Sequence, residues 1–385
     1  MIDYERELMR LKNERQLRTL SVYDTVSSAH LAVGGRDLVN FASNDYLGLS
    51  HDPRVLAAAG RSLEKNGLGA GASRLLCGSS RAHAMLEETL ARFKQYEAAL
   101  VFPTGYMANV GAITALAGAD DLIVIDKLSH ASIIDACALS GATLRVFPHK
   151  NYERLAAVLE KQRSAHAHCL IITDSVFSMD GDCADLQQLV GIKKHFDAML
   201  MIDEAHATGV FGSGGRGYAE AAGVESEIDI MMGTLSKAVG ALGGFIAASR
   251  SCIHYLVNKA RPFIYTTGLP ASLCAGATEA FHIIEHDAGL RERLWHTIRR
   301  VEEKLQAAGI PCAAASPIIP VIVGSAEKAL SLSQALYEEG LYVPAIRYPT
   351  VGKNSARLRI SVSAAHTQND IDRLAEALGR LYKSA

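Results

Sequence analysis

This 385-residue sequence lacks the features that mark several common classes of protein. Its seven cysteines are odd in number, scattered and never spaced as C-x-x-C, which argues against a disulfide framework and a zinc site and indicates a reducing compartment. A formal net charge of -2 gives no electrostatic reason to expect nucleic acid or an anionic membrane as a partner. The first residues are charged and form no apolar stretch, so we expect a cytoplasmic protein.

Two motifs resemble nucleotide-binding signatures, but each lacks its context. The sequence DEAH at 203–206 is also the Walker B signature of one helicase group, yet no G-x-x-x-x-G-K-[ST] occurs, so a nucleic-acid motor is not expected. The sequence GSGGRG at 212–217 satisfies G-x-G-x-x-G, but it follows several predicted strands, whereas the dinucleotide fingerprint belongs at the first strand–helix turn. We interpret it as a loop with unusual backbone angles and keep an NAD-dependent oxidoreductase as the alternative from a different class.

What the sequence does contain is an alternation of helices with short apolar runs. Runs without period-2 alternation predict strands buried on both faces, at 98–102, 122–125, 144–147, 170–173, 199–202 and 228–232. Helices are predicted at 54–65 and 82–96, the second with Glu87, Glu88 and Arg92 pointing outward. The pattern predicts an α/β fold with a mainly parallel central sheet and helices on both faces.

Three segments of the chain are expected to have different roles. Residues 1–45, with a charged helix at 5–20, would form an N-terminal arm that packs with the small domain, and residues 46–275 would form the large, cofactor-binding domain. Residues 276–385 would form a smaller α+β domain, with strands at 320–323, 341–343 and 357–362. Its last helix would begin at Thr367 with Asp370 three residues later, in a capping box.

Lys237 is a lone cation in an uncharged stretch that runs from residue 231 to 249. An unpaired buried ammonium is costly, so this lysine is expected either to reach solvent or to act with its charge suppressed, as an amine nucleophile or a Schiff-base partner. The stretch has four glycines within 231–248, and we interpret it as a strand, a loop and a strand rather than a membrane span.

Other polar groups follow the predicted strands. Gly105 and Tyr106 open a helix and would offer free N–H groups to an anion, although a plain turn has the same sequence pattern. His130 follows another strand, where a solvated loop histidine is the simpler interpretation. Asp203 ends a third strand, and His206 lies three residues later; a carboxylate there suits a metal or a protonated ring nitrogen.

Pyridoxal phosphate requires all of these groups together. It needs a lysine, an acid that keeps the ring nitrogen protonated, an anion site for its phosphate and a flat group against the ring. Lys237, Asp203, the Gly105-Tyr106 turn and His130 meet these needs, and Thr234 and Ser236 add hydroxyls for the phosphate. No metal is expected. The order along the chain resembles that of fold-type I pyridoxal enzymes.

Within that fold, essentially the whole chain resembles the α-oxoamine synthases. The matching stretches are SNDYLGL at 43–49, LSHAS at 128–132, VFSMDGD at 176–182, DEAH at 203–206, GTLSK at 233–237 and SVSAAH at 361–366. The family condenses an amino acid with an acyl thioester and releases CO2. The segment AIRYPTV at 345–351 resembles that of 8-amino-7-oxononanoate synthases, which act in biotin biosynthesis, except that Tyr348 stands where a proline is usual. Glycine C-acetyltransferase and other family members remain alternatives.

The resemblance also implies roles for individual residues. Asn44, His130 and Arg359 would hold the carboxylate of L-alanine, while Lys237 would remove its α proton. His206 would bond the ring hydroxyl of the cofactor, with Ser178 near it. Arg18, Arg347 and Thr350 would also bind substrate. The acyl substrate would be a pimeloyl thioester of CoA or of a carrier protein. Thr267 would contact the phosphate of a neighbouring subunit in a homodimer.

Overall fold

The computed structural model describes residues 2–384, which divide into two compact units. The large unit comprises Leu49–Ser178 and Asp182–Arg291. The small unit comprises the chain up to Gly48, the short segment Met179–Gly181 and the chain from Glu292 onward.

The helices and strands within residues 2–384 are numbered in chain order. The helices are α1 (Tyr4–Asn13), α2 (Pro53–Asn66), α3 (Arg81–Lys94), α4 (Gly105–Leu116), α5 (Ala131–Ser140), α6 (Tyr152–Gln162), α7 (Leu186–His195), α8 (Tyr218–Ala221), α9 (Arg250–Lys259), α10 (Arg261–Ile264), α11 (Ala271–His286), α12 (Ala288–Ala307), α13 (Ala326–Glu338) and α14 (Gln368–Ser384). The strands are β1 (Asp24–Ser27), β2 (His30–Val33), β3 (Arg36–Asn40), β4 (Ala98–Phe102), β5 (Leu122–Asp126), β6 (Thr143–Phe147), β7 (Cys169–Asp174), β8 (Met199–Asp203), β9 (Ile230–Thr234), β10 (Gly244–Ala248), β11 (Ile318–Gly324), β12 (Leu341–Tyr342), β13 (Ala345–Ile346) and β14 (Ala356–Ser361).

The large unit is built on a seven-stranded sheet in the order β4-β10-β9-β8-β7-β5-β6. All six predicted strands are present, and β5 through β9 pair in parallel. The predicted strand, loop and strand around Lys237 is also confirmed, as β9 and the antiparallel β10. Side chains alternate between the two faces of a strand, and both sets are buried along β5, β7 and β8. Burial on both faces explains the continuous apolar runs, and the mainly parallel α/β fold is confirmed.

The expected boundary after residue 275 lies inside α11, which packs against α2 and α3. Because these helices belong to the large unit, that unit continues to Arg291. The three-part division of the chain as a whole stays a prediction.

The small unit contains two sheets, in the orders β1-β2-β3-β12 and β11-β14-β13. The first joins the N-terminal segment to the C-terminal one, because β3 pairs in parallel with β12. The predicted capping box of α14 is present, since Thr367 Oγ1 accepts from the Asp370 N–H at 3.2 Å and Asp370 Oδ2 accepts from the Thr367 N–H at 2.8 Å.

Two local expectations were wrong. The first helix ends at Asn13 and not at residue 20, because Arg15 has a left-handed φ of 57° and Arg347 binds the Arg15 and Leu17 carbonyls beyond it. Glu87 on α3 does not point outward, because its carboxylate pairs with Arg74 and accepts from the Val101 N–H. No helix within residues 2–384 is both long and apolar enough to span a bilayer.

Candidate active site

The predicted cofactor-binding groups lie at one edge of the large sheet. The strands β5, β7, β8 and β9 run parallel, so their carboxyl ends meet at a common edge, which is where ligands bind in such sheets. Asp174 and Asp203 are the last residues of neighbouring strands and lie opposite each other in the ladder. His130 follows β5, and Lys237 follows β9.

Asp203 is buried with only neutral donors on its carboxylate. It is 3% exposed, Oδ1 accepts from the Ala205 N–H at 2.8 Å and Oδ2 accepts from Asn109 Nδ2 at 2.9 Å. Within residues 2–384 it is in no ion pair of direct contact length. A buried carboxylate whose donors are all neutral is suited to a cationic partner, such as a protonated ring nitrogen.

Asn109 is a site residue that the sequence reasoning did not identify. It lies on α4, it is 1% exposed, and its Nδ2 also donates to Ser132 Oγ at 2.9 Å. The signal in the sequence was a single amide in an otherwise apolar helix. Buried amides of this kind need partners, and here the partner is the Asp203 carboxylate.

A second buried carboxyl group stands beside Asp203. Burial, together with the charge of Asp203, raises the pKa of Asp174 well above its usual value. Its Oδ2 accepts from the backbone N–H of His130 at 3.0 Å, which fixes the start of α5. Two carboxyl groups this close do not both ionise easily, so Asp174 is the one held neutral.

His130 is held as a neutral ring. Its Nδ1 lies 2.7 Å from Ser132 Oγ and 3.3 Å from the Ser132 backbone N, so the ring caps α5. Although His130 is exposed, partial desolvation lowers the pKa of its ring; Asp203 opposes the shift, and the charge of Lys237 adds to it. A neutral imidazole offers a flat face for stacking. Lys237 is half-buried, and its charge acts on both His130 and Asp174.

The expected phosphate site is a cradle that depends on glycine. At the start of α4, a Cβ on Gly105 would lie 3.0 Å from Met232 Cε and 3.4 Å from Thr234 Oγ1. A Cβ on Gly244 would lie 2.5 Å from Gly105 Cα. Thr234 Oγ1 lies 2.8 Å from Ser236 Oγ, so two hydroxyls adjoin the free N–H groups of a twelve-residue helix. Such an arrangement is suited to a phosphate.

Four further predicted residues also lie in the large unit. Tyr106 is exposed, and its hydroxyl donates to the Asp135 carboxylate, so only its backbone N–H belongs to the cradle. His206 is 6% exposed, and Ser178 lies in the turn after Phe177. Thr267 pairs with Ser73 in an isolated antiparallel bridge.

The two nucleotide-like motifs have other uses in the structure. Glu204 of the DEAH sequence is buried and paired with Lys94 at 2.7 Å. In the GSGGRG loop, the N–H groups of Gly214 and Arg216 both donate to the Glu220 carboxylate. The anion held by this glycine loop is therefore a side chain of the protein, and the loop has the unusual backbone angles that we predicted, with φ of 84° at Gly212 and 138° at Gly217.

In the small unit, two predicted carboxylate-binding residues are in contact. Arg359 is buried on β14, its Nη2 donates to Asn44 Oδ1 at 3.1 Å, and its Nη1 donates to Ser361 Oγ at 2.7 Å. The Tyr46 hydroxyl also donates to Asn44 Oδ1, and burial raises the pKa of Tyr46 to about 12 although Arg359 opposes this. A guanidinium in this position is suited to a carboxylate, which it can bind through two N–H groups.

Three further residues predicted to bind substrate also lie in the small unit: Arg18, Arg347 and Thr350. Arg347 donates to the carbonyls of Arg15 and Leu17, which closes the turn before Arg18. Burial lowers the pKa of Arg347, and the neighbouring charge of Arg18 lowers it further. Thr350 is exposed, and its N–H donates to the Arg347 carbonyl. Two guanidinium groups are thus brought together by the fold.

Comparison with known proteins gives matches over nearly the whole chain. The model of the family "Aminotransferase class I and II" matches residues 36–378. An 8-amino-7-oxononanoate synthase of Thermoanaerobacter pseudethanolicus is 41% identical, over 99% of this chain and 97% of the relative. A solved serine palmitoyltransferase of Sphingomonas wittichii is 35% identical with a TM-score of 0.93, over 99% of this chain and 96% of that chain. A solved 8-amino-7-oxononanoate synthase of Francisella tularensis is 29% identical with a TM-score of 0.78, over 90% of this chain and 98% of that chain.

Proposed function

Since this chain belongs to the aminotransferase class I and II family, we propose that it carries out the reaction of an 8-amino-7-oxononanoate synthase in biotin biosynthesis. The reaction condenses L-alanine with a pimeloyl thioester and gives 8-amino-7-oxononanoate, CO2 and a free thiol. The observation that carries the proposal is the buried Asp203 carboxylate with neutral donors, next to Lys237 and His130 and near the glycine cradle.

The residues of the large unit fit pyridoxal phosphate, the cofactor of this enzyme class. When bound, the cofactor supplies an electron sink for the charge left by loss of the α proton. Lys237 would hold it covalently through Nζ and afterwards take the α proton of the amino acid. Asp203, oriented by Asn109, would keep the ring nitrogen protonated, and the neutral His130 ring would stack on the cofactor.

The remaining contacts with the cofactor involve its phosphate and its ring hydroxyl. The N–H groups at Gly105 and Tyr106 and the hydroxyls of Thr234 and Ser236 would hold the phosphate. His206 and Ser178 would lie near the ring hydroxyl. Thr267 would contact the phosphate bound by a second copy of the chain, in a homodimer with shared active sites.

Specificity for both substrates would come from arginines of the small unit. Arg359, which contacts Asn44, would bind the carboxylate of L-alanine through its guanidinium. A pimeloyl chain ends in a second carboxylate, and the adjacent Arg18 and Arg347 form a pair of cations suited to it, with Thr350 beside them. A palmitoyl chain has no such charge, so this pair favours the pimeloyl thioester over the substrate named for the serine palmitoyltransferase neighbours.

The first experiment tests the cofactor. The purified protein should be yellow, and Lys237→Ala should abolish that covalent absorption while leaving the far-ultraviolet circular dichroism unchanged. A colourless protein that does not take up added pyridoxal phosphate would overturn the proposal. A protein that takes up the cofactor but changes its spectrum with no amino acid would be a binding protein of this fold.

The second experiment tests the substrates. L-alanine, glycine and L-serine are each offered with pimeloyl, acetyl, succinyl and palmitoyl thioesters, and release of the thiol is followed. We expect the highest kcat/KM with L-alanine and pimeloyl thioester, carried by CoA or by a carrier protein in the cytoplasm. Faster turnover of glycine with acetyl-CoA, or of L-serine with palmitoyl-CoA, would assign the chain to another reaction.

A further inference from the structure

A cluster of four charged residues lies near the candidate active site and makes none of the cofactor or substrate contacts proposed above. His149 follows β6, and its ring bonds two carboxylates: Nδ1 is 3.0 Å from Asp126 Oδ1, and Nε2 is 3.0 Å from Asp182 Oδ2. The ammonium of Lys150 also donates to Asp182 Oδ2, at 2.9 Å. All four residues belong to the large unit.

The geometry makes His149 an imidazolium. Two carboxylates on opposite ring nitrogens both require an N–H donor, and only the protonated ring has two. Burial alone would lower the pKa of His149, but the bonds to Asp126 and Asp182 raise it to about 9. In return His149 and Lys150 hold the pKa of Asp182 below its usual value, against the effect of burial.

Other titratable groups adjoin the cluster. Burial raises the pKa of Cys183 to about 11, and Asp126 contributes to the raised pKa of Asp174. Burial raises the pKa of Tyr152 to about 12, so its hydroxyl stays neutral, and it accepts from the Asp185 backbone N–H. Asp185 caps α7 by accepting from the Gln188 N–H. The Phe177 ring meets the His149 ring edge to face, with centroids 4.4 Å apart. The cluster thus consists of two cations, His149 and Lys150, and two carboxylates, Asp126 and Asp182.

The two carboxylates belong to different segments of the active site. Asp126 is 1% exposed, and it also accepts from the backbone N–H groups of Leu128 at 2.8 Å and Lys150 at 2.9 Å, which shapes the turn leading to His130. The carbonyl of Asp182 accepts from the Phe177 N–H at 3.0 Å, directly before Ser178. The His149 side chain thus connects Asp126, four residues before His130, with Asp182, whose carbonyl holds Phe177.

We propose that His149 is a positioning residue of the active site, which as an imidazolium ties the His130 segment to the Ser178 segment. The inference rests on the proposed function, because it assumes that these segments hold the cofactor ring. His149 itself contacts neither the cofactor nor the substrate. Losing the double bridge would leave Asp126 and Asp182 without their shared donor, so both segments would relax and the cofactor would bind more weakly.

The test measures cofactor affinity directly. Apoenzyme of the wild type and of His149→Leu is titrated with pyridoxal phosphate, and binding is followed by visible circular dichroism. At pH 7 we expect the dissociation constant to rise about tenfold, the factor that corresponds to losing one hydrogen bond to a charged group. The matched control is Lys193→Gln, which removes an ion pair with Asp229 of 2.7 Å in the same unit and should leave the dissociation constant within about twofold.

The pH dependence distinguishes a charged clamp from simple loss of packing. The folded-state pKa of His149 lies above its unfolded value of 6.5, so its contribution is complete below that value and is lost as the pH rises through about 9. The ratio of the dissociation constants of variant and wild type should therefore fall from about tenfold at pH 7 towards one at pH 10. Groups other than His149 titrate in both proteins, so their effects on the two dissociation constants cancel in this ratio.

Each outcome decides the question. A ratio below about twofold at pH 7, or a tenfold ratio that does not change with pH, overturns the proposal. If His149→Leu does not fold, Asp182→Asn removes one side of the bridge only and should give a smaller rise; an unchanged affinity there overturns it too. A wild-type protein that takes up no pyridoxal phosphate refutes the proposed function instead.

Discussion

The buried ion pair of Lys94 and Glu204 allows a prediction of stability with a defined size. The two side chains are 2% and 1% exposed, and Nζ lies 2.7 Å from Oε2. Lys94 also donates to Thr208 Oγ1 at 2.9 Å and to the Arg216 carbonyl, while Glu204 Oε1 accepts from the Ala219 N–H at 2.7 Å. The pair thus secures the loop that follows Asp203.

Replacing Lys94 with Met keeps the volume but leaves the Glu204 carboxylate buried without a counter-charge. Removing one partner of a buried ion pair costs about 3–5 kcal/mol, and this pair has no solvent to compensate it. In Lys94→Met/Glu204→Gln the remaining acceptor is neutral and still serves the Ala219 N–H. The loss of unfolding free energy in the double variant should therefore be smaller, by at least about 2 kcal/mol, than the summed losses of the two single variants.

The assay is urea unfolding of the apoprotein, followed by far-ultraviolet circular dichroism, for the wild type, both single variants and the double variant. Lys194→Met is the matched control, because Lys194 and Glu227 form an ion pair of 2.8 Å whose side chains are 56% and 37% exposed. Exposed pairs contribute about 0–1 kcal/mol, so this control should unfold almost as the wild type does. The reasoning would be refuted if Lys94→Met lost less than about 1 kcal/mol of unfolding free energy. It would also be refuted if the loss in the double variant equalled the summed losses of the two single variants.

Three further predictions concern the site itself. Asp174→Asn should keep cofactor binding and turnover, because burial and the charge of Asp203 raise the pKa of Asp174, so that a neutral amide replaces a neutral acid. Asp203→Asn should instead lower kcat/KM by about 100-fold or more. An equal loss of kcat/KM in the two variants would contradict this prediction. Gly244→Ala should weaken cofactor binding in an apoenzyme titration, because its Cβ would lie 2.5 Å from Gly105 Cα; unchanged affinity would show that the cradle is not used. Arg359→Lys should raise the KM for L-alanine about tenfold, since it loses the two-pronged grip, whereas its cofactor spectrum should be retained.

Much of the large unit could be predicted because its signals are local. The strands β5, β7 and β8 are continuous apolar runs, and such runs indicate strands buried on both faces wherever they lie in the chain. Their polar ends marked Asp203 and His130. The sequence could not show the order of the strands or that β10 runs antiparallel to its neighbours, because pairing depends on contacts between distant segments.

The errors and omissions have the same cause. Glu87 looked like an outward residue of an amphipathic helix, but Arg74 and the β4 backbone cover it. The GSGGRG loop has the glycines of a dinucleotide site, and only the fold shows that the Glu220 carboxylate fills it. Lys94 and Glu204 are 110 positions apart, so neither residue by itself indicated a buried pair.

The sequence by itself determined the class of fold and a set of groups, Lys237 among them, that suits pyridoxal phosphate, because residue chemistry and hydrophobic pattern are properties of short segments. The tertiary structure decided which side chains bond to one another and which charge states Asp174 and His149 adopt. Asp203 accepts from neutral donors, burial and the neighbouring charge hold Asp174 neutral, and two carboxylates hold His149 charged. These states depend on burial and on partners from other strands, which exist only after the chain has folded.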